Sequence, residues 1–213
     1  MFKTKPTWIG NRSEDLLWVA SDQGCYDYII HDWKEYFHHI AKWINDTRVV
    51  VQAGGNCGLY PLYYAEIFER VFTFEPDPLN FYCLAANCKN SKIIKFNTAL
   101  TNNPQYLRIG NPDPLNNGMP CINGGDTIVY GITIDSLDLP VVSLIHLDVE
   151  TYEYEVIQGA VRTIERCRPL VVLEITRAHQ EINQLMKSLN YRIVTEYGDP
   201  PNFVYVPIER IPT

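Results

Sequence analysis

The stretch Val49-Val-Val-Gln-Ala-Gly-Gly-Asn-Cys-Gly-Leu-Tyr60 reads as a buried strand, a glycine-rich stop and the first turn of a helix. Glycines at 54, 55 and 58 let a ligand approach the backbone closely. The free N–H groups of the helix start favour an anion. Twenty-one residues after Gly54, Glu75 closes the next apolar run, Val71-Phe-Thr-Phe. An acid at that place suits a ribose with both hydroxyls free. Loop, strand and acid together indicate an adenosine-type ligand at the carboxyl edge of a parallel sheet.

Working outward, strands and helices alternate. Helices are expected over 59–69 and 78–88, with a strand at Ile93-Ile-Lys-Phe. The alternation resumes at Val142-Ser-Leu-Ile-His-Leu. It continues through a helix carrying Val156, Ile157, Ala160, Val161 and Ile164, the strand Leu170-Val-Val-Leu, and a helix with Ile182, Leu185, Met186 and Leu189 on one face. This pattern implies βαβ units. The last two strands, Tyr191-Arg-Ile-Val-Thr and Phe203-Val-Tyr-Val, are joined by Gly198-Asp-Pro-Pro-Asn, a link short enough to join only antiparallel neighbours. The expected fold is α/β: a mostly parallel sheet, seven-stranded, with an antiparallel C-terminal hairpin. A nicotinamide dinucleotide would call for GxGxxG. The order here is Gly-Gly-x-x-Gly, which with the hairpin favours S-adenosylmethionine, its methionine carboxylate facing the helix start.

Before the first strand, Ile29, Ile30, Trp33, Phe37, Ile40 and Ile44 recur at three- and four-residue steps and predict a helix over 26–45. The division expected is an N-terminal helical extension over 1–47 and a catalytic domain over 48–213. Ser21-Asp-Gln-Gly24 is placed to fold over the crevice. Residues 101–126 carry six asparagines and four glycines, the composition of a functional loop, with Tyr106–Ile109 and Thr127–Ile134 as candidate hairpin strands.

Of the 213 residues, 46 % are hydrophobic and 20 % charged, which suits a globular chain with a substantial core. The net charge of −7 disfavours non-specific nucleic-acid binding. No apolar run is long enough for a membrane span, and the N-terminus lacks a signal-peptide pattern. The six cysteines form no CxxC pair, so a reduced, cytoplasmic protein is expected.

The second constellation is His146-Leu-Asp148-Val-Glu150. Strand alternation would put these three side chains on one face, at the edge where open α/β sheets bind ligands. A carboxylate or imidazole at that edge could position a bound hydroxyl and take its proton. Asp148 is the first candidate, followed by Glu150 and His146. Glu174, ending the next strand, is a candidate for binding substrate or for pairing with Arg177. The three carboxylates could hold Mg²⁺ with water, but their spacing is not that of a tight metal motif and no metal is expected. The dipeptide His38-His39 projects in two directions from a helix and makes no paired site. Thr98 and Ala99 follow the third strand, at the same carboxyl edge of the sheet.

These blocks resemble FkbM-family methyltransferases. Val50-Val-Gln-Ala-Gly-Gly-Asn-Cys-Gly-Leu-Tyr60 resembles the family's first motif and Phe74-Glu-Pro-Asp-Pro78 its second. Ile134-Asp-Ser-Leu, the segment from His146 to Ala160, Arg168-Pro-Leu-Val-Val-Leu-Glu-Ile175 and Asn202-Phe-Val-Tyr-Val-Pro207 follow in the family's order. The resemblance covers roughly 48–207. It implies a class I methyltransferase (Rossmann-like) fold and methyl transfer from S-adenosylmethionine, most often to an oxygen. A sugar or small metabolite is the expected acceptor. Cofactor contacts would come from Gln52, Gly54, Gly55, Asn56, Gly58, Glu75, Asp77, Thr98 and Ala99. The chain also departs from the family. Gln52 stands where an acid is usual, His146 where Lys is frequent, and Thr151 where Gly is frequent, a change that alters backbone geometry. The alternative is a non-catalytic module that binds the cofactor; a nicotinamide-dependent oxidoreductase ranks below both.

Overall fold

β3 (Val49–Ala53) is buried along its whole length, as a central strand with both faces covered must be. In this computed structural model the described residues are 2–9, 12–22, 36–111, 113, 115, 116, 118–122 and 125–212. β3 pairs in parallel with β4 (Arg70–Phe74) on one side and β10 (Leu144–Leu147) on the other. β5 (Ile93–Phe96) extends the sheet beyond β4, and β11 (Leu170–Glu174) lies beside β10, both in parallel. β13 (Asn202–Pro207) is antiparallel to β11, and β12 (Tyr191–Tyr197) is antiparallel to β13. The sheet is therefore mixed, in the order β12-β13-β11-β10-β3-β4-β5. Its order reverses between β3 and β10, which opens a crevice at their carboxyl ends.

Side-chain alternation divides the core between the two faces of the sheet. Val50, Leu144, Val172 and Val204 join one apolar cluster, and Val51, Ile145, Val171 and Tyr205 join the other. On the first face lies α1 (Leu59–Ile67), whose residues 59–65 are all buried. A helix buried all round needs cover on its outer side. Leu16, Trp18, Tyr36 and Ile40 from the N-terminal region share its cluster.

That region differs from expectation. It contains two paired strands where a helical extension was expected: β1 (Phe2–Ile9) pairs antiparallel with β2 (Arg12–Val19). Period-two burial of Leu16 and Trp18, with Leu17 between them less buried, is the signal that a search for helical periodicity overlooks. Residues 36–40 are helical and lead into a 3-10 turn at Ala41–Trp43. The remainder of the predicted 26–45 helix that precedes residue 36, and Gln23 and Gly24 of the proposed cover, lie outside the described residues. Asn87, closing α2 (Pro78–Asn87), pins the hairpin. Its amide accepts from the Leu17 N–H at 2.7 Å and donates to the Leu17 carbonyl at 2.8 Å.

A second sheet of four strands, ordered β6-β9-β7-β8, covers part of the crevice. It comprises β6 (Ala99–Leu100), β7 (Gln105–Gly110), β8 (Cys121–Ile122) and β9 (Thr127–Ile132). Gln105–Ile109 pairs antiparallel with 127–131, so the asparagine-rich segment does contain the expected hairpin. α3 (Glu153–Gln158), α4 (Val161–Cys167) and α5 (His179–Ser188) complete the fold. Among the described residues no helix is long and apolar enough to cross a membrane.

Candidate active site

The glycine loop leaves β3 at Gly54, whose φ is +83°. A Cβ there would sit 1.9 Å from the Asp148 carbonyl oxygen, so only glycine lets the two loops meet. The N–H groups of Gly54 and Gly55 both donate to the Phe74 carbonyl, at 3.1 and 3.0 Å. Gly58, at φ +101°, starts α1 against the Cys88 sulfur. Between them the Asn56 N–H donates to Glu75 Oε2 at 2.7 Å, and the Asp77 N–H donates to Oε1 at 2.8 Å. Glu75 is only 4 % exposed. Burial pushes its carboxyl up to about 8 even though both backbone bonds favour the anion.

Gln52 faces away from the crevice mouth. Its amide nitrogen donates to the carbonyls of Ala53 (3.1 Å) and Gly54 (2.9 Å), and its oxygen accepts from the Thr73 hydroxyl at 2.6 Å. Two acceptors and one donor complement an amide; an acid here would face two carbonyl oxygens. Asp77 is an N-cap, accepting from the N–H groups of Leu79 and Asn80 at 2.9 Å each.

On the β10 side, the Asp148 N–H donates to the Ala53 carbonyl at 3.2 Å. Asp148, Glu150 and Glu174 bring carboxylate oxygens within 4.8 Å of one another. Burial, then Asp148 and Glu153, push Glu150 up to about 8. Burial together with the neighbouring carboxylates raises Glu174 as well. Glu153, 1 % exposed, accepts from the Val149 N–H at 3.0 Å. Burial raises it to about 7. Three crowded carboxylates can share protons or hold a positively charged guest.

The backbone here is unusual, with φ of +50° at Glu150 and +77° at Thr151. Arg177 does not pair with Glu174. Its Nε donates to the Thr151 carbonyl at 2.8 Å, and its Nη2 bridges both Glu155 oxygens at 2.8 and 3.0 Å.

His146 corrects the expectation of a shared face. β10 ends at Leu147, so strand alternation no longer governs Asp148 and Glu150. His146 points into the first core cluster, 1 % exposed, with Nδ1 3.0 Å from the Tyr64 hydroxyl. The Tyr64 hydroxyl also bonds Tyr36. The rings of Tyr36 and Tyr60 lie 5.0 and 4.9 Å from the imidazole. Burial lowers its pKa to about 3, which keeps it neutral at any working pH and out of proton exchange with a ligand.

A cavity of about 460 Å³ joins the two loops. Gly54, Asn56, Glu75, Thr98 and Ala99 line one side and Asp148, Glu150 and Glu174 the other. Gln52, Gly55, Gly58, Asp77 and His146, expected at the site, are not among the residues that line it. Asn116, Met119 and Ile122 also line the cavity. Sequence reasoning missed Tyr60, Tyr152 and Asn202 in the wall. Asn202 was findable: the β11–β13 register sets it opposite Glu174.

The model of the methyltransferase FkbM domain matches residues 52–193. No curated protein matches the chain in sequence. Among solved structures, methyltransferase FkbM from Methylobacillus flagellatus KT superposes with a TM-score of 0.55 at 18 % identity, over 75 % of this chain and 43 % of that one. This chain thus spans less than half the length of that relative. The putative methyltransferase yhhF from Escherichia coli aligns at 11 % identity over 96 % of this chain and 98 % of its own, with a TM-score of 0.53. Precorrin 8w decarboxylase from Methanobacterium thermoautotrophicum gives 0.52 at 12 % identity, over 81 % and 89 %. At these identities the likeness is one of fold.

Proposed function

Because the chain belongs to the FkbM methyltransferase domain family, we propose that it transfers a methyl group from S-adenosylmethionine to a hydroxyl of a sugar or small metabolite. The observation that carries this reading is the shared cavity: the glycine loop and Glu75 face the same space as three carboxylates. The donor set fits that cofactor. Glycine at 54 clears the backbone path, Glu75 offers a buried carboxyl group to a ribose, and the acidic wall, ionising against a cation, complements an ammonium and a sulfonium charge. The catalytic domain in this reading is 48–213, with Leu16, Trp18, Tyr36 and Ile40 of the 1–47 extension joining the apolar cluster of α1. The free thiols of Cys57, Cys83, Cys88, Cys121 and Cys167 support work in a reducing cytoplasm.

S-adenosylmethionine, when bound, supplies an electrophilic methyl group on a positively charged sulfur. The loop of Gly54, Gly55, Asn56 and Gly58 would hold its methionine part, with Gln52 bonded to the carbonyls of that loop. Glu75 would hold the ribose hydroxyls. Thr98 and Ala99 would meet the adenine, and Asp77 caps the helix that follows Glu75. Asp148 orients the acceptor hydroxyl, Glu174 binds the acceptor, and Glu150, once ionised, takes the hydroxyl proton. His146 serves from beneath as packing for the strand end. Transfer would therefore quicken as pH rises through about 8, where the Glu150 carboxyl ionises.

Calorimetric titration with S-adenosylmethionine and with S-adenosylhomocysteine tests the cofactor. Micromolar binding of either is expected; a folded protein that binds neither overturns the reading. Labelled-methyl transfer to a panel of sugars and small alcohols tests the acceptor. Product methylated on nitrogen or carbon instead of oxygen would overturn the hydroxyl assignment.

A further inference from the structure

The turn that carries Glu150 into the cavity is held open by a residue outside it. Glu150 and Thr151 are consecutive residues with positive φ, +50° and +77°. A β-branched residue resists that region, since its Cβ crowds the backbone. Nothing in the sequence of the turn favours this conformation, so its surroundings must impose it. Two contacts do so. From inside, Glu153 accepts the Val149 N–H at 3.0 Å. From outside, Arg177 donates Nε to the Thr151 carbonyl at 2.8 Å. The same guanidinium is fixed by both oxygens of Glu155, on α3, at 2.8 and 3.0 Å. With Nη2 on Glu155 and Nε on Thr151, two nitrogens of one planar guanidinium are held, which sets its direction as well as its distance.

We propose that Arg177 is a positioning residue: by tying the Thr151 carbonyl to Glu155 it holds the strained turn in the form that directs the Glu150 carboxylate into the cavity. Arg177 follows Glu174 by three residues, so the loop that presents one cavity carboxylate also clamps the turn presenting another. The proposal rests on the reading of Glu150 as the residue that meets the acceptor. Its geometric content can be tested without acceptor or cofactor.

The test follows the Glu150 side-chain carboxyl by ¹³C NMR in protein labelled at glutamate, with Glu150→Gln identifying the signal. The groups facing Glu150 are Asp148 and Glu174 from the strand ends and Glu153 from α3, all acidic. In the native protein its midpoint should lie near 8. In Arg177→Ala the turn relaxes, the carboxylate reaches water, and the midpoint should drop toward 4.5. Loss of the Arg177 charge alone would move it upward, so the sign separates the two causes. Thr151→Gly removes the strain. Alone it should leave the midpoint unchanged, and combined with Arg177→Ala it should bring the midpoint back towards 8. Should Arg177→Ala fail to fold, Glu155→Gln, which frees the guanidinium, must give the same fall. An unchanged or raised midpoint overturns the proposal, and so does a fall that Thr151→Gly does not reverse. Titration of the native protein with S-adenosylhomocysteine runs in parallel. Absence of binding there rejects the methyltransferase reading and leaves the NMR result to decide the clamp.

Discussion

At the β3–β4 edge of the cavity, each oxygen of the buried Glu75 carboxylate accepts a backbone N–H, and the Gln52 amide is engaged by two carbonyls and a hydroxyl. At the β10–β11 edge, Asp148, Glu150 and Glu174 crowd one another on a backbone with two adjacent positive φ angles. The first edge is satisfied before any ligand arrives, as binding by a preorganised site requires. The second carries repulsion, which a proton or a cationic guest relieves, and strain, which the Arg177 clamp holds in place. A rigid binding edge beside a charged, strained edge is the division expected where one side must hold and the other must react.

The contrast breaks most readily where the two loops touch. Gly54→Ala would drive a Cβ to 1.9 Å from the Asp148 carbonyl at a φ of +83°. It should cost about 3 kcal/mol or more of stability in denaturant unfolding. A tolerated substitution would mean that the two edges move independently. Next in size, Glu75→Ala should weaken S-adenosylhomocysteine binding by about 1–3 kcal/mol, read by calorimetry. Unchanged affinity would show that the satisfied edge is structural only.

The binding edge was the legible part of the sequence. A strand, a glycine loop and a strand-end acid are local features, and their spacing survives folding unchanged. The reactive edge was legible only in composition. Alternation put His146 with Asp148 and Glu150, but the strand stops at Leu147, and His146 turns into the tyrosines of α1. Arg177 was visible as a possible partner of Glu174. Its actual partners, Thr151 and Glu155, lie on the turn after β10 and on α3, and no periodicity encodes that contact. The N-terminal hairpin escaped for another reason. β2 finds its cover in α2, whose Asn87, 70 residues from Leu17, also anchors it, so its strand character depends on packing more than on propensity.

The charged edge also predicts how stability follows pH. Glu75 and Glu150 stay protonated in the folded chain up to about 8, and Glu153 up to about 7, whereas each ionises near 4.5 when unfolded. Between those limits the folded state binds more protons. Stability is then complete below about 4.5 and falls as pH rises towards 8. Thermal unfolding should show the midpoint declining from pH 5 to pH 8.5. Glu150→Gln should flatten part of that decline, its share being on the order of 2 kcal/mol after allowance for partial exposure. A midpoint that rises over this range would show that these carboxylates are not held in their neutral form.

The smallest effect sharpens the contrast most, because its sign is unusual. Thr151 is exposed, so replacing it removes no core packing. Its φ of +77° is one that glycine adopts freely and threonine does not. Thr151→Gly should therefore raise stability by about 1 kcal/mol, the left-handed penalty outweighing the extra freedom gained by the unfolded chain. Denaturant unfolding with an unchanged m-value is the measurement. A gain would place strain at the reactive edge that the native residue retains, and the Arg177 clamp would then be opposing a real restoring force. A loss of similar size would mean that the turn is relaxed as it stands, leaving repulsion among the carboxylates as the sole difference between the two edges.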